Sequence, residues 1–230
     1  MIKAILFDAS ETLIHLPLGV AHHYQLVAAR HGLALDEAVV SQAFRAIWRA
    51  KPQRPIIEGS RPEDDRGWWR DLVLELLRHC AVEPSAEKLD LFFDELYCHF
   101  ALPGVWELYP DVLPVFAILR HDYILGVVSN FDRRLHAIFC NLKIDGYFDA
   151  VILSSETGAD KPHPEIFHHA LDRLGVAPAE ALHVGDDPVR DWQGAAGAGL
   201  RCFHLDRPRN SLRDLPAVLN NLETAATSCS

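Results

Sequence analysis

The sequence predicts an α/β protein: a Rossmann-like, doubly wound parallel sheet whose chain is interrupted once by a helical insert. Three features carry this reading. Short apolar runs stop abruptly at small, acidic, hydroxyl or amide residues; helical periodicity fills most gaps between them; and one gap is far too long for a single crossover. The runs span residues 2–7, 123–128, 150–153, 181–184 and 201–205. Apolar on both faces and rich in Val and Ile, they suit parallel strands buried under helices. Residues 111–120, 133–142, 165–174 and 189–198 have helical spacing, and strand–helix alternation argues for right-handed βαβ units. In such sheets ligands collect at the carboxyl ends of the strands. Those ends carry Asp8, the pair Ser129-Asn130, the pair Ser154-Ser155, Asp186 after Gly185, and Asp206.

The long gap lies between Asp8 and Ser129, 121 residues apart, whereas one βαβ unit takes roughly 30 residues or a little more. Within it, residues 22–31, 36–51, 68–79 and 86–100 read as helices, separated by the loop-like stretches Lys51-Pro52-Gln53-Arg54-Pro55 and Glu58-Gly59-Ser60-Arg61-Pro62. Residues 1–15 and 101–230 are therefore expected to form the Rossmann-like core, and 16–100 a helical cap that emerges where the first strand ends. Residues 224–230 read as a frayed tail.

Composition bounds the function. The 230 residues are 49% hydrophobic and 23% charged, an ordinary globular balance. Lys and Arg number 22 against 32 Asp and Glu, a formal charge of −10 that argues against a nucleic-acid or anionic-membrane partner. No apolar run is long enough to span a bilayer, and the first residues lack a signal peptide's basic segment and cleavage site. Cys80, Cys98, Cys140, Cys202 and Cys229 show no CxxC spacing and read as free thiols, which points to the cytoplasm.

Four segments carry candidate chemistry. Phe7-Asp8-Ala9-Ser10-Glu11-Thr12-Leu13 puts a carboxylate directly after the first strand, where it can act as a nucleophile or simply cap a turn. Ser129-Asn130 offers a hydroxyl and an amide to an anionic oxygen, or a helix cap. Lys161-Pro162-His163-Pro164 holds one of only five lysines just before a helix, a point charge suited to an anionic group. Gly185-Asp186-Asp187-Pro188-Val189-Arg190-Asp191 crowds acids on a tight loop, and an all-oxygen set of this kind suits Mg²⁺.

In this order along such a core, the four segments resemble the motifs of the haloacid dehalogenase-like hydrolase superfamily, and the insert resembles the helical cap of its capped members. The resemblance spans essentially the whole chain. It implies that Asp8 is a nucleophile forming an aspartyl-phosphate, and that Asp8, the Ser10 carbonyl and Asp186 hold Mg²⁺, with Asp191 or Asp187 as ligand or support. It implies further that Ser129 and Asn130 bind the transferring phosphoryl group, that Lys161 neutralises charge and orients Asp8, and that Thr12 holds the first loop. The implied substrate is a small phosphorylated molecule.

One position departs from that pattern. Most phosphatases of the family carry a second Asp two residues after the nucleophile, to protonate the leaving group and then activate water; here it is Ser10. A serine hydroxyl is no general acid near neutral pH, so the ~10²–10⁴-fold usually gained from acid–base catalysis is in question. The chain is then a phosphohydrolase for leaving groups that need no proton, an impaired ligand-binding relative, or a metal-independent 2-haloacid dehalogenase, whose halide also leaves without a proton. Asp186 and Asp191 favour the metal-dependent reading. Arg45 and Arg49 read as helix-surface residues rather than a dehalogenase's carboxylate anchor. Glu11 is offset from the substrate side, Trp68 and Trp69 read as cap packing, and Phe116, Ile118 and Phe139 read as helix-to-sheet packing.

Overall fold

In the computed structural model, which describes residues 1–207 and 209–227, the chain divides into two compact units. One comprises Met1–His15, Pro55–Arg61 and Leu108–Ser230; the other comprises Leu16–Arg54 and Pro62–Glu107. The strands are β1 (Ala4–Phe7), β2 (Ile14–His15), β3 (Glu107–Leu108), β4 (Ile124–Ser129), β5 (Ala150–Leu153), β6 (Ala181–Gly185) and β7 (Arg201–His204). Five of them form a parallel sheet in the order β5-β4-β1-β6-β7, and β2 pairs with β3. The order runs outward in both directions from β1, so a topological switch point lies beside it. Register aligns Phe7 with Val127 on one side and Val184 on the other. Asp8, Ser129 and Asp186 therefore leave neighbouring strands at nearly one level.

The helices are α1 (Gly19–Arg30), α2 (Glu37–Ala50), α3 (Arg66–His79), α4 (Ala86–His99), α5 (Val112–Leu119), α6 (Arg134–Asn141), α7 (Ser154–Thr157), α8 (Pro164–Leu174), α9 (Gly194–Gly197) and α10 (Leu215–Thr227). In the sheet unit, α8 opens with Pro164 at its first turn and ends at Gly175 with φ 67°, the usual asymmetry of helix ends. Its Ile166, Phe167, Ala170 and Leu171 pack on Leu6, Val128 and Ala181. On α5, Val112, Val115, Phe116 and Leu119 take the i, i+3, i+4, i+7 positions of the buried face. Phe116 meets Phe7 at 5.2 Å and Phe148 at 5.4 Å. Ile118 falls on the opposite side of that stripe and is 56% exposed, so it does not pack on the sheet as its composition suggested.

Three further segments differ from the sequence reading. Residues 189–198 are not one α-helix: a π-helical turn over Pro188–Gln193 precedes α9. The turn starts where the Asp187 carboxylate accepts from the backbone N–H of Val189 and Arg190, and its wider winding leaves Asp191 buried. Helix α10 continues to Thr227, beyond the start of the expected tail; residues 228–230, Cys229 among them, lie outside the described residues. Residues 55–61 belong with the sheet unit: the Arg61 N–H donates to the Ser155 carbonyl, and its guanidinium reaches the Gly158 carbonyl at 3.0 Å and Asp160 at 3.4 Å.

The second unit holds α1–α4. Asp36 caps α2 through the Val39 N–H, and Ser85 caps α4 through the Lys88 N–H. Its core includes Tyr24, Val27, Val40, Ile47, Leu72, Leu76, Phe92 and Leu96, against which Trp48, Trp68 and Trp69 pack. Arg45 and Arg49 lie on the exposed side of α2. No helix among the described residues is long and apolar enough to cross a membrane, and Cys80, Cys98, Cys140 and Cys202 are free thiols.

Fully buried Phe116 and exposed Ile118 make a matched test of the α5 face. Phe116→Ala is expected to cost about 3–5 kcal/mol of unfolding free energy and Ile118→Ala less than about 0.5 kcal/mol, measured by urea denaturation. Similar losses for both would mean that α5 is rotated from the orientation described.

Candidate active site

The site forms where β1, β4 and β6 end, and a buried ammonium organises it. Lys161 is 3% exposed. Its Nζ donates to Asp8 Oδ1 at 2.5 Å and to Asp191 Oδ1 at 2.6 Å. A buried charge needs partners, and one ammonium between two carboxylates supplies them for all three groups. The Lys161 main chain is fixed separately: Asn130 Oδ1 accepts from its N–H at 2.7 Å, and Asn130 Nδ2 donates to its carbonyl at 2.9 Å. The loop before α8 is thus tied to the end of β4.

The remaining groups close around this pair. Ser129 Oγ donates to Asp8 Oδ1 at 3.2 Å, and buried Thr12 donates to Asp186 Oδ1 at 3.2 Å. Asp191 Oδ1 also receives His183 Nε2 at 2.8 Å, while Asp191 Oδ2 accepts from the Asp187 N–H at 3.0 Å. Gly185 makes this approach possible, because a Cβ there would lie 2.3 Å from Asp191 Cγ. Ser10, half-buried, forms an isolated bridge with Ile14. Its neighbour Glu11 has φ 60°, and the exposed Glu11 carboxylate accepts from Tyr109 Oη at 2.8 Å. Arg207 pins the same loop: it donates to the carbonyls of Glu11 and Thr12, pairs with both oxygens of Asp111 at 3.1 Å, and lies 3.5 Å over the Tyr109 ring.

Charge and burial set the protonation pattern. Burial pushes the Asp8 carboxyl above its usual range, partly offset by Lys161. Burial also acts to lower Lys161, but Asp191 and Asp8 outweigh it and hold the ammonium above its ordinary range. Burial acts to raise Asp191, yet Lys161 and His183 together keep it well below a normal carboxylate. Asp186 gains far less from Lys161: burial and the charges of Asp8 and Asp191 push it up to about 7.

The structure therefore gathers Asp8, Thr12, Ser129, Asn130, Lys161, Asp186 and Asp191. Asp187 instead caps the π-helical turn, and the Asn130 side chain is spent on Lys161 rather than left open to a ligand. Sequence reasoning missed His183, Arg207 and Tyr109. His183 had a signal of its own, an imidazole inside an otherwise apolar strand; Arg207 and Tyr109 had none beyond lying near predicted element ends. Carboxylate oxygens of Asp8, Asp186 and Asp191 lie within 4.8 Å of one another. Three carboxylates against one ammonium leave two negative charges and hard oxygen donors, a set that fits a divalent cation such as Mg²⁺.

Comparisons with known proteins identify the family. The family model described as haloacid dehalogenase-like hydrolase matches residues 2–199. The chain is 36% identical over 203 residues to the mouse haloacid dehalogenase-like hydrolase domain-containing protein 3, covering 87% of this chain and 80% of that one. Its fold is similar to a Bacillus subtilis protein described as a HAD-hydrolase bound to magnesium (TM-score 0.74, 19% identity, 95% and 99% of the two chains). It is also similar to a 2-haloacid dehalogenase from Pseudomonas syringae (TM-score 0.63, 22% identity, 96% and 100%). With its matched span, its parallel sheet and the acids and lysine gathered at the strand ends, the chain belongs to the haloacid dehalogenase-like hydrolase family.

Proposed function

We propose that this hydrolase is a Mg²⁺-dependent phosphohydrolase that acts on a small phosphorylated metabolite through Asp8. The observation that carries the reading is the cluster of Asp8, Asp186 and Asp191 carboxylate oxygens within 4.8 Å of one another, in which Asp186 is only partly relieved by Lys161 and is pushed up to about 7. A metal-independent displacement has no use for that uncompensated charge, whereas a divalent ion relieves it. Asp8 and Asp186, with the Ser10 carbonyl, would hold the ion. Both Asp191 oxygens already accept protein hydrogen bonds, which suits Asp191 to fixing Lys161. When bound, Mg²⁺ would supply the positive charge that lets a carboxylate and a phosphate approach.

In this reading Lys161 orients the Asp8 carboxylate for in-line attack on phosphorus, while the Ser129 hydroxyl, which donates to Asp8 in the free site, turns to the incoming phosphoryl group. The bond from phosphorus to the leaving oxygen breaks as the Asp8–phosphorus bond forms, and water later returns Asp8 and releases phosphate. Phosphoryl oxygens would be received by the Ser129 hydroxyl, Lys161 and the Asn130 backbone N–H. Thr12 keeps Asp186 in place. Because Ser10 supplies no proton, the favoured substrates are acyl phosphates and other activated esters, whose leaving groups depart as stable anions. Unpaired thiols fit a cytoplasmic enzyme. Ser10 is also the one observation that favours the metal-independent 2-haloacid dehalogenase, and it is compatible with an impaired ligand-binding protein.

Phosphate release from acetyl phosphate and p-nitrophenyl phosphate tests the reading. Release is expected to require Mg²⁺, to stop with EDTA, and to fall about 10³-fold or more in Asp8→Asn. No release, with chloride freed from 2-chloropropionate instead, would replace it with the dehalogenase; neither activity would leave a binding protein. Ser10→Asp is expected to speed hydrolysis of an unactivated alkyl phosphate at least ~10-fold while changing acetyl phosphate turnover much less. Equal effects on both would mean that leaving-group protonation is not what position 10 controls.

Asp186 also makes stability depend on pH in a stated direction. Its folded pKa lies above the ordinary 3.8, so the metal-free fold takes up a proton there. That contribution is fully present below about pH 4 and is lost as pH rises through about 7. Stabilisation by Mg²⁺ should accordingly grow between about pH 5 and 8, and Asp186→Asn should abolish it while raising the metal-free Tm at the alkaline end. A Tm increase with Mg²⁺ that is independent of pH, or that survives Asp186→Asn, would contradict this assignment.

A further inference from the structure

We infer that His183 is a positioning residue for the proposed reaction: its Nε2–H holds the Asp191 carboxylate in the orientation that aims Lys161 at Asp8. The inference rests on the phosphohydrolase reading for its kinetic consequence, but not for its geometry. His183 is fully buried on β6, three residues before Asp186. Its Nε2 lies 2.8 Å from Asp191 Oδ1, the same oxygen that receives Lys161 Nζ at 2.6 Å. Lys161 in turn reaches Asp8 at 2.5 Å. His183, Asp191, Lys161 and Asp8 thus form one continuous buried chain of hydrogen bonds.

The tautomer follows from the acceptor. Asp191 is held ionised by Lys161 and can only accept, so Nε2 carries the hydrogen. The other ring nitrogen, Nδ1, has no hydrogen-bond partner. The Phe167 ring lies 5.1 Å from the imidazole, nearly perpendicular to it. A buried polar atom without a partner costs stability, and an apolar residue at this strand position would avoid that cost. The retained interaction is the one to Asp191.

The role is orientational. A carboxylate bound by one donor can pivot about it; donors from Lys161 and His183 on Oδ1 and from the Asp187 N–H on Oδ2 remove that freedom. Lys161 is then directed along a single line between Asp191 and Asp8. Outer partners that orient groups at a metal site characteristically matter by about 10–100-fold, and His183 stands in that relation to Asp8 through two intervening side chains.

Two variants and one spectrum test this. His183→Gln keeps an N–H near the Nε2 position, whereas His183→Met fills similar space without a donor. With acetyl phosphate and Mg²⁺, His183→Met is expected to lose about 10–100-fold in kcat and kcat/KM together with KM unchanged, and His183→Gln to recover most of the loss. Equal kcat in both variants and the parent, or equal losses that follow Tm, would assign His183 to packing alone and overturn the proposal. The spectrum needs no activity: in the metal-free protein, ¹⁵N NMR of the His183 ring should show the hydrogen on Nε2. A hydrogen on Nδ1 instead would overturn the proposal even in an active enzyme. If the parent released no phosphate in an Asp8-dependent manner while Nε2 carried the hydrogen, the proposed reaction would fail and the positioning contact would stand.

Discussion

The buried ammonium of Lys161 is the constraint on which the rest of the site depends. Removed from water, it must be matched by negative charge and held by hydrogen bonds, or it would lose its proton or leave the interior. Asp8, just after β1, and Asp191, inside the π-helical turn, provide that match, and the lysine in turn lets two carboxylates share a small volume. Asn130 fixes the lysine's main chain, so the charge cannot drift as its partners change state. Gly185 is required because any larger residue would collide with Asp191, and the π-helical turn is where Asp191 comes to be buried. Asp186 is the least compensated of three carboxylates that share one ammonium, and the set carries two negative charges in excess. A site built this way is internally paired but one divalent charge short.

Much of this was legible in the sequence because parallel strands leave a strong trace. Apolar runs such as residues 181–184 end where the backbone meets the site, and fixed strand order brings those ends together whatever lies between them. The 121-residue gap between Asp8 and Ser129 announced the insert by length alone. Periodicity of 3.6 residues located α5 and α8, but it could not say that Ile118 faces outward, because α5 is apolar on every side and only packing chooses its buried stripe. Nor could it show the π-helical turn, since that depends on Asp187 capping the turn and on Asp191 turning inward to meet Lys161.

The roles of single side chains were less readable than their gathering. Asn130 reads in sequence as an anion-binding amide, yet its side chain serves the Lys161 backbone. Asp187 and Asp191 are equivalent acids on one loop, and only three-dimensional placement separates the helix cap from the lysine's partner. Residues 55–61 read as a loop of the insert, but hydrogen bonds from Ile57 and Arg61 to the segment around Gly158 place them with the sheet unit. In each case a tertiary contact, not local propensity, decides what the residue does.

Membership in the haloacid dehalogenase-like hydrolases leaves the choice of chemistry to a few atoms around Asp8. Ser10 removes the proton donor that difficult leaving groups need, while Asp186 keeps the charge that a cation answers. The most direct test is the covalent state of Asp8 during turnover. Enzyme mixed with acetyl phosphate and Mg²⁺, quenched in acid and analysed by peptide mass spectrometry, should carry a phosphoryl group on Asp8, and the adduct should be absent when EDTA replaces Mg²⁺. An unmodified Asp8 under those conditions, with a carbon ester formed from 2-chloropropionate without metal, would contradict the account.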